Sequence, residues 1–249
     1  MRAFWIIILA LLPVSAVLAE VAAPAKTAAA AAPQAAVSGV GSKGYVWNKM
    51  TPEHAAAMSK AGDVERGRIV FRGCLGCHRK DGFGRVDGIY PRLTGQYASV
   101  IIKQLTDIRA GLRINPKMEP FITPDAVTVD EIADIAAYLS TATTLKENGK
   151  GPGDQVQVGE AVYTQKGCVK CHGARGEGDE AKFYPALAAQ HYSYLLREME
   201  LVKTLARGNA HPDMVKALSE VSPADMDAMA DYLSRLPDRR QTAEKAMGK

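Results

Sequence analysis

The sequence predicts an all-α protein made of two tandem copies of one small helical domain. Three observations carry this. Two stretches, "CLGCH" and "CVKCH", recur 94 residues apart, and further residues repeat at the same offset. Apolar residues in each half fall at helical spacing, behind helix-start signals. No run alternates convincingly between apolar and polar, so strands are not expected.

From the N-terminus, residues 1–19 read as a secretory signal, with Arg2, an apolar run from Phe4 to Leu12 and a small-residue cleavage site near Ala19. The rival is an uncleaved anchor, although about 15 apolar residues broken by Pro13 fall short of the ~20 a span needs. Either way the rest is exported. It is expected in the periplasm, and at the outer face of the inner membrane if the segment stays. Residues 20–59 are a flexible lead rich in Ala and Pro. The first domain then occupies 60–142, a Gly/Pro-rich linker 143–153, the second domain 154–237 and a tail 238–249.

The repeat extends past the cysteines. Tyr90-Pro91 matches Tyr184-Pro185, Leu93 matches Leu187, Gln96 matches Gln190 and Arg113 matches Arg207. Each copy begins with a helical segment, "GDVERGRIVFRG" and the longer "DQVQVGEAVYTQKG". Each continues with a middle helix, "GQYASVIIKQLTDIRAG" and "AQHYSYLLREMELVKTLARG". Each closes with an amphipathic helix. Thr128 with Glu131 signals the start of one, and Ser222 with Pro223 and Asp225 the other.

C-x-x-C-H is the attachment signal of c-type haem. Two thiols add to the porphyrin's vinyl groups, and the next residue, His, reaches the iron from the same turn. This assigns Cys74, Cys77 and His78 to one haem, and Cys168, Cys171 and His172 to another. Disulfides would leave the His unexplained twice. Redox C-x-x-C sites need a strand–helix context, and zinc sites a further Cys/His pair, both absent here. A second axial ligand is expected about 40 residues on, in a loop before the last helix. Met118 is the candidate in copy one, 40 residues after His78. In copy two Met214 lies 42 residues after His172 and His211 lies 39 after it; symmetry of residue type favours Met214. His211 then caps a helix or faces solvent, and Met226 and Met229 belong to the core. Pro91 and Pro185 can offer a carbonyl to the ring N–H of the ligand His, with Tyr90 and Tyr184 packed beside them. His191 aligns with Tyr97, and His54 is expected at the surface.

With these residues in place the chain resembles the class I cytochromes c. Its tandem motifs, "YPRL" and "YPAL" loops, paired glutamines and late methionines resemble the two-haem cytochrome c4 type. The resemblance covers about residues 60–237. It implies a small helical domain around one covalent haem c in each half, the halves face to face, and electrons passing between the haems. It carries the ligand pairs over to His78 with Met118 and His172 with Met214. Residues 44–60 and the Ala/Pro lead depart from the family pattern.

The function expected is that of an electron carrier in a respiratory chain. Two filled axial positions leave no site for substrate. A dihaem peroxidase would need an open iron, and a Cys-ligated catalytic haem a fifth cysteine. A membrane-tethered haem subunit is the same chemistry with a fixed partner. Partners are expected to be a redox donor and acceptor, such as a membrane oxidase or a periplasmic dehydrogenase. Nucleic acid is not among them: net charge is only +4 and aromatic residues are 6% of the chain. Residues 43–147 hold 15 Lys/Arg against 12 Asp/Glu, and 150–249 hold 14 of each. The excess lies near the first motif, at Arg66, Arg68, Arg72, Arg79, Lys80, Arg85 and Arg92, a face that could steer an acidic partner.

Overall fold

The computed structural model describes residues 40–41, 45–142 and 147–241. The signal or anchor, the lead up to residue 39, residues 143–146 of the linker and 242–249 of the tail lie outside the described residues.

The described chain is predominantly helical. Pro52–Met58 (α1) precedes the first half, which holds Val64–Val70 (α2), Leu75–His78 (α3), Ala98–Arg109 (α4) and Val129–Thr141 (α5). The second half holds Val156–Gln165 (α6), Val169–His172 (α7), Tyr192–Lys203 (α8), Pro212–Ser219 (α9) and Pro223–Arg235 (α10). Where α9 stands in the second half, the first has only a short 3-10 turn, Glu119–Phe121. One expectation is corrected at small scale. Val40–Gly41 (β1) and Asn209–Ala210 (β2) form a two-residue antiparallel ladder. Its β1 strand precedes the repeat, where no apolar alternation signals it.

Helix starts follow the local chemistry. Thr128 accepts from Glu131 N–H while Glu131 reaches back to Thr128 N–H, a complete capping box. Ser222 accepts from Asp225 N–H at 3.0 Å, with Pro223 in the first turn. Each half is built on a crossing of its first and last helices. A Cβ on Gly67 would lie 2.0 Å from Asp134 O, and one on Gly159 would lie 2.0 Å from Ala228 O. Only glycine admits that approach. Phe71 meets Tyr138 beside one crossing, and Tyr163 meets Tyr232 beside the other, with centroids 5.6 and 5.9 Å apart. Each half buries its own apolar cluster, around Ile132 and Leu139 in the first and Met229 and Leu233 in the second. Met226 and Met229 are therefore core residues.

The halves meet face to face across a pseudo-symmetric seam. Gln96 donates from Nε2 to Ala186 O and accepts at Oε1 from Ala186 N–H, both at 3.0 Å. Gln190 does the same with Arg92 O and Arg92 N–H, both at 2.8 Å. Residues 92 and 186 are themselves related by the repeat. The tail adds to the seam: Asp238 pairs with buried Arg92, and Arg239 donates to Gly95 O at 2.7 Å with its guanidinium over Tyr97. Asn148 joins from the linker, donating to Gln190 O and Ser234 O.

Residues ahead of the repeat are also part of the fold. Tyr45, Trp47 and Phe183 form a third buried cluster between the halves. The fully buried Lys103 donates to Tyr45 Oη at 2.8 Å and Asp107 Oδ2 at 2.9 Å, with its ammonium 4.7 Å from the Trp47 ring centroid. Asn209 of the second half donates to the same carboxylate at 2.8 Å. His54 is not at the surface. It is 3% exposed, edge-on to Phe183, because α1 packs it inward against this cluster.

His191 holds a fixed tautomer at the seam. Gly149 N–H donates to its Nδ1 at 3.0 Å, so Nε2 carries the proton and donates to Phe83 O at 2.9 Å. Burial, with Arg92 nearby, pulls this imidazole below its ordinary value. The unfolded chain then binds a proton that the folded one refuses. Stability is full above the unfolded value of about 6.5 and falls as pH drops below it. Urea midpoints taken between about pH 7.5 and 5 should fall for the native protein and fall less for His191→Gln.

Candidate functional site

The two Cys-x-x-Cys-His turns are built alike. His78 ends α3 and His172 ends α7, and the chain then leaves through a positive φ, 61° at Arg79 and 78° at Gly173. Gly84 N–H returns to His78 O at 2.8 Å, and Gly178 N–H to His172 O at 2.9 Å. Both glycines have left-handed φ, and a Cβ on either would strike the Tyr-Pro segment within 2.5 Å. That contact sets the Pro carbonyl against the histidine. His172 Nδ1 lies 3.0 Å from Pro185 O. A carbonyl only accepts, so Nδ1 holds the proton and Nε2 keeps its lone pair for a metal. Pro91 O acts on the His78 ring in the same sense, through a looser contact that leaves Nδ1 short of a formed hydrogen bond. Burial pulls His78 down to about 4 and lowers His172 as well, so both rings are neutral at neutral pH.

The cysteines stand ready beside them. None of the four cysteines is in a disulfide, and all are half-buried. Tyr90 lies 6.1 Å from the His78 ring, and its hydroxyl is raised by the hydrogen bond to Cys77. Tyr184 lies 6.3 Å from the His172 ring, and its hydroxyl is pushed up to about 12 by burial and then by Cys171.

One continuous cavity of about 1320 Å³ runs between the halves. It exceeds the roughly 300–1,000 Å³ of a single ligand pocket. Cys74, Cys77, His78 and Met118 line it from one side, and Cys168, Cys171, His172 and Met214 from the other. Met118 is half-buried in a loop closed by its own N–H to Asn115 O at 2.9 Å. Met214 is half-buried on the first turn of α9 and packs on the second core. His211 lines the cavity too, but its Nδ1 accepts from Asp213 N–H at 3.1 Å and caps α9. Its ring sits edge-on to Trp47 and Tyr184, at 5.6 and 6.2 Å.

Sequence reasoning matched Arg113 with Arg207 in the repeat but gave them no place in the site. Both line the cavity and share one carboxylate, Glu198. Burial, then repulsion from Arg113, pushes Arg207 down to about 9. Two guanidiniums against one carboxylate leave positive charge for an anionic guest. A cavity larger than a single ligand pocket, two thiol pairs, two neutral imidazoles and spare positive charge fit two haems with their carboxylates.

The comparisons agree. The Cytochrome c family model matches the chain twice, over residues 64–143 and 156–237. Cytochrome c4 of Thiocapsa roseopersicina is 33% identical over 196 residues, 75% of this chain and 99% of that protein. A thiosulfate dehydrogenase electron acceptor of Stutzerimonas stutzeri is 31% identical over 172 residues, 66% of this chain and 78% of that protein. The crystal structure of reduced cytochrome c4 from Pseudomonas stutzeri superposes with a TM-score of 0.64 at 26% identity, covering 71% of this chain and all of that one. The chain belongs to the class I cytochromes c as a two-haem protein of the cytochrome c4 type, a periplasmic electron carrier with two covalently attached c-type haems.

Proposed function

We propose that the chain relays electrons through two His/Met sites, with His78 and Met118 as axial ligands in the first half and His172 and Met214 in the second. Cys74 and Cys77, and Cys168 and Cys171, are the attachment thiols. The observation that carries this reading is that both donor sets line one cavity spanning the seam. When bound, each haem supplies an iron that changes charge by one electron, at a potential raised by His/Met ligation. The chain does the rest. Pro91 and Pro185 orient the histidines, Tyr90 and Tyr184 wall their rings, and Arg113 and Arg207 offset the carboxylate charge. His211 is already engaged as a helix cap, which favours Met214 as the ligand beside it.

The partner surface is narrower than the sequence suggested. Arg66 pairs with Asp134, Arg68 with Glu65, Arg85 with Asp87 and Arg92 with Asp238. Arg72, Arg79 and Lys80 are exposed and form no ion pair among the described residues. These three cations beside the first motif are the docking face for an acidic redox partner. A relative that serves as electron acceptor of a thiosulfate dehydrogenase supports a periplasmic dehydrogenase as the donor. The N-terminal segment is a cleaved signal, and the mature protein moves freely between partners.

Three outcomes test this reading. Met214→Ala should open the second haem to added imidazole and lower its potential, and Met118→Ala the first. If His211→Ala has that effect on the second haem instead, Met214 is not the ligand. Electron-transfer rates with an acidic partner should fall as salt shortens the screening length below ~10 Å, and fall less for Arg72→Gln/Lys80→Gln. N-terminal sequencing of the mature protein should begin near Glu20; a chain starting at Met1 is an anchored one.

A further inference from the structure

The seam and the two histidines share peptide groups. Pro185 O faces His172 Nδ1 at 3.0 Å, and the N–H of the same peptide unit, on Ala186, donates to Gln96 Oε1 at 3.0 Å. Gln96 belongs to the other half. The arrangement repeats in reverse. His78 Nδ1 is buried but closes no hydrogen bond, and the N–H of the Pro91 peptide unit, on Arg92, donates to Gln190 Oε1 at 2.8 Å. Each glutamine oxygen is fixed a second time, by Tyr97 N–H at 3.1 Å and by His191 N–H at 3.0 Å. Gln190 is buried, and Gln96 is half-buried.

We propose that each glutamine is a positioning residue for the histidine of the opposite half, so that Gln96 sets the second haem's potential and Gln190 the first's. This rests on His78 and His172 being the iron ligands. The cause is polarisation along a hydrogen-bonded chain. An acceptor on a peptide N–H makes the carbonyl of that peptide a stronger acceptor. A stronger acceptor on Nδ1–H makes the imidazole more basic at Nε2. A more basic ligand favours the oxidised iron and lowers the potential. The glutamine also donates to the carbonyl of residue 186 or 92, so the residue after the proline is held through both its N–H and its C=O and cannot turn the proline carbonyl away from the ring.

The two relays are unequal. The link to His172 is a closed hydrogen bond, whereas the link to His78 is looser. Gln96 therefore has the larger effect, and it acts on the haem of the half to which it does not belong.

The test uses the full-length protein with both haems. Potentials are taken from a redox titration, and the ligand-histidine ring N–H resonances from proton NMR of the reduced protein. Met118→Ala and Met214→Ala identify which signals belong to which haem. Gln96→Ala should raise the potential of the second haem and move its ring N–H upfield, leaving the first haem nearly unchanged. Gln190→Ala should do the same to the first haem, by less. Gln96→Glu keeps an oxygen on Ala186 N–H, so the second ring N–H should stay in place or move downfield. This variant decides the matter if the alanine variant fails to fold. The proposal is overturned if Gln96→Ala moves the first haem as much as the second, or if both ring N–H signals stay still. Failure of the ligand reading is separate: then neither His78→Ala nor His172→Ala removes a ring N–H signal.

Discussion

Everything in this molecule hangs on the way two copies of one surface grip each other. At the centre of the grip are two glutamines, each closing a pair of hydrogen bonds with one residue of the opposite half. Each bond contributes about 1 kcal/mol net, modest beside the core of either half. Their importance lies in position. They land one residue beyond the prolines that face the ligand histidines. The cavity lies between the same two faces, so the contact that joins the halves also shapes the chamber they enclose. A shift of the seam by a fraction of an ångström would move both proline carbonyls at once.

The symmetry is incomplete, and the departures cluster on one side. The segment ahead of the repeat pairs β1 with β2, which lies just before His211 and Met214. Trp47 packs on His211 and Tyr184, and Asp107 of α4 holds Asn209. Among the described residues the loop carrying Met118 has no such cover: Ile114, Lys117, Glu119 and Phe121 are exposed around it. Its cross-seam tie is Ile114 N–H to Arg207 O at 2.9 Å. The second methionine thus sits on a helix braced from outside its own domain, and the first on a loop at the surface.

What could be read from the sequence was whatever the chain repeats or whatever acts within one turn. The offset between Cys74 and Cys168 gave the two halves, and Thr128 with Glu131 gave a helix start, because capping is local chemistry. The proline carbonyls followed from recurrence together with the needs of a ligand histidine. The crossing helices were visible as apolar spacing, but the glycines beneath them were not separable from ordinary ones. Burial made across the seam stayed hidden. Arg92 meets Asp238 across 146 residues, so it read as a surface cation. His54 and Trp47 are buried by residues of both halves, and no periodicity in their own segment announces it. Gln96 and Gln190 were seen as a matching pair, yet a match in sequence does not say that each touches the other's copy.

The reciprocal seam has the form of an isologous dimer contact, residue i on one copy meeting residue j on the other and the reverse. Carrying both copies on one chain makes that association intramolecular. The partner stands at an effective concentration of the order of millimolar, indifferent to how far the protein is diluted. A true homodimer would pay for its symmetry with two identical irons and no preferred direction between them. Fusion lifts that requirement. One copy can keep Tyr97 where the other takes His191, or build α9 where the other makes a single turn, and each change need suit only one site. Covalent linkage is thus what permits a gradient to be written into a duplicated fold.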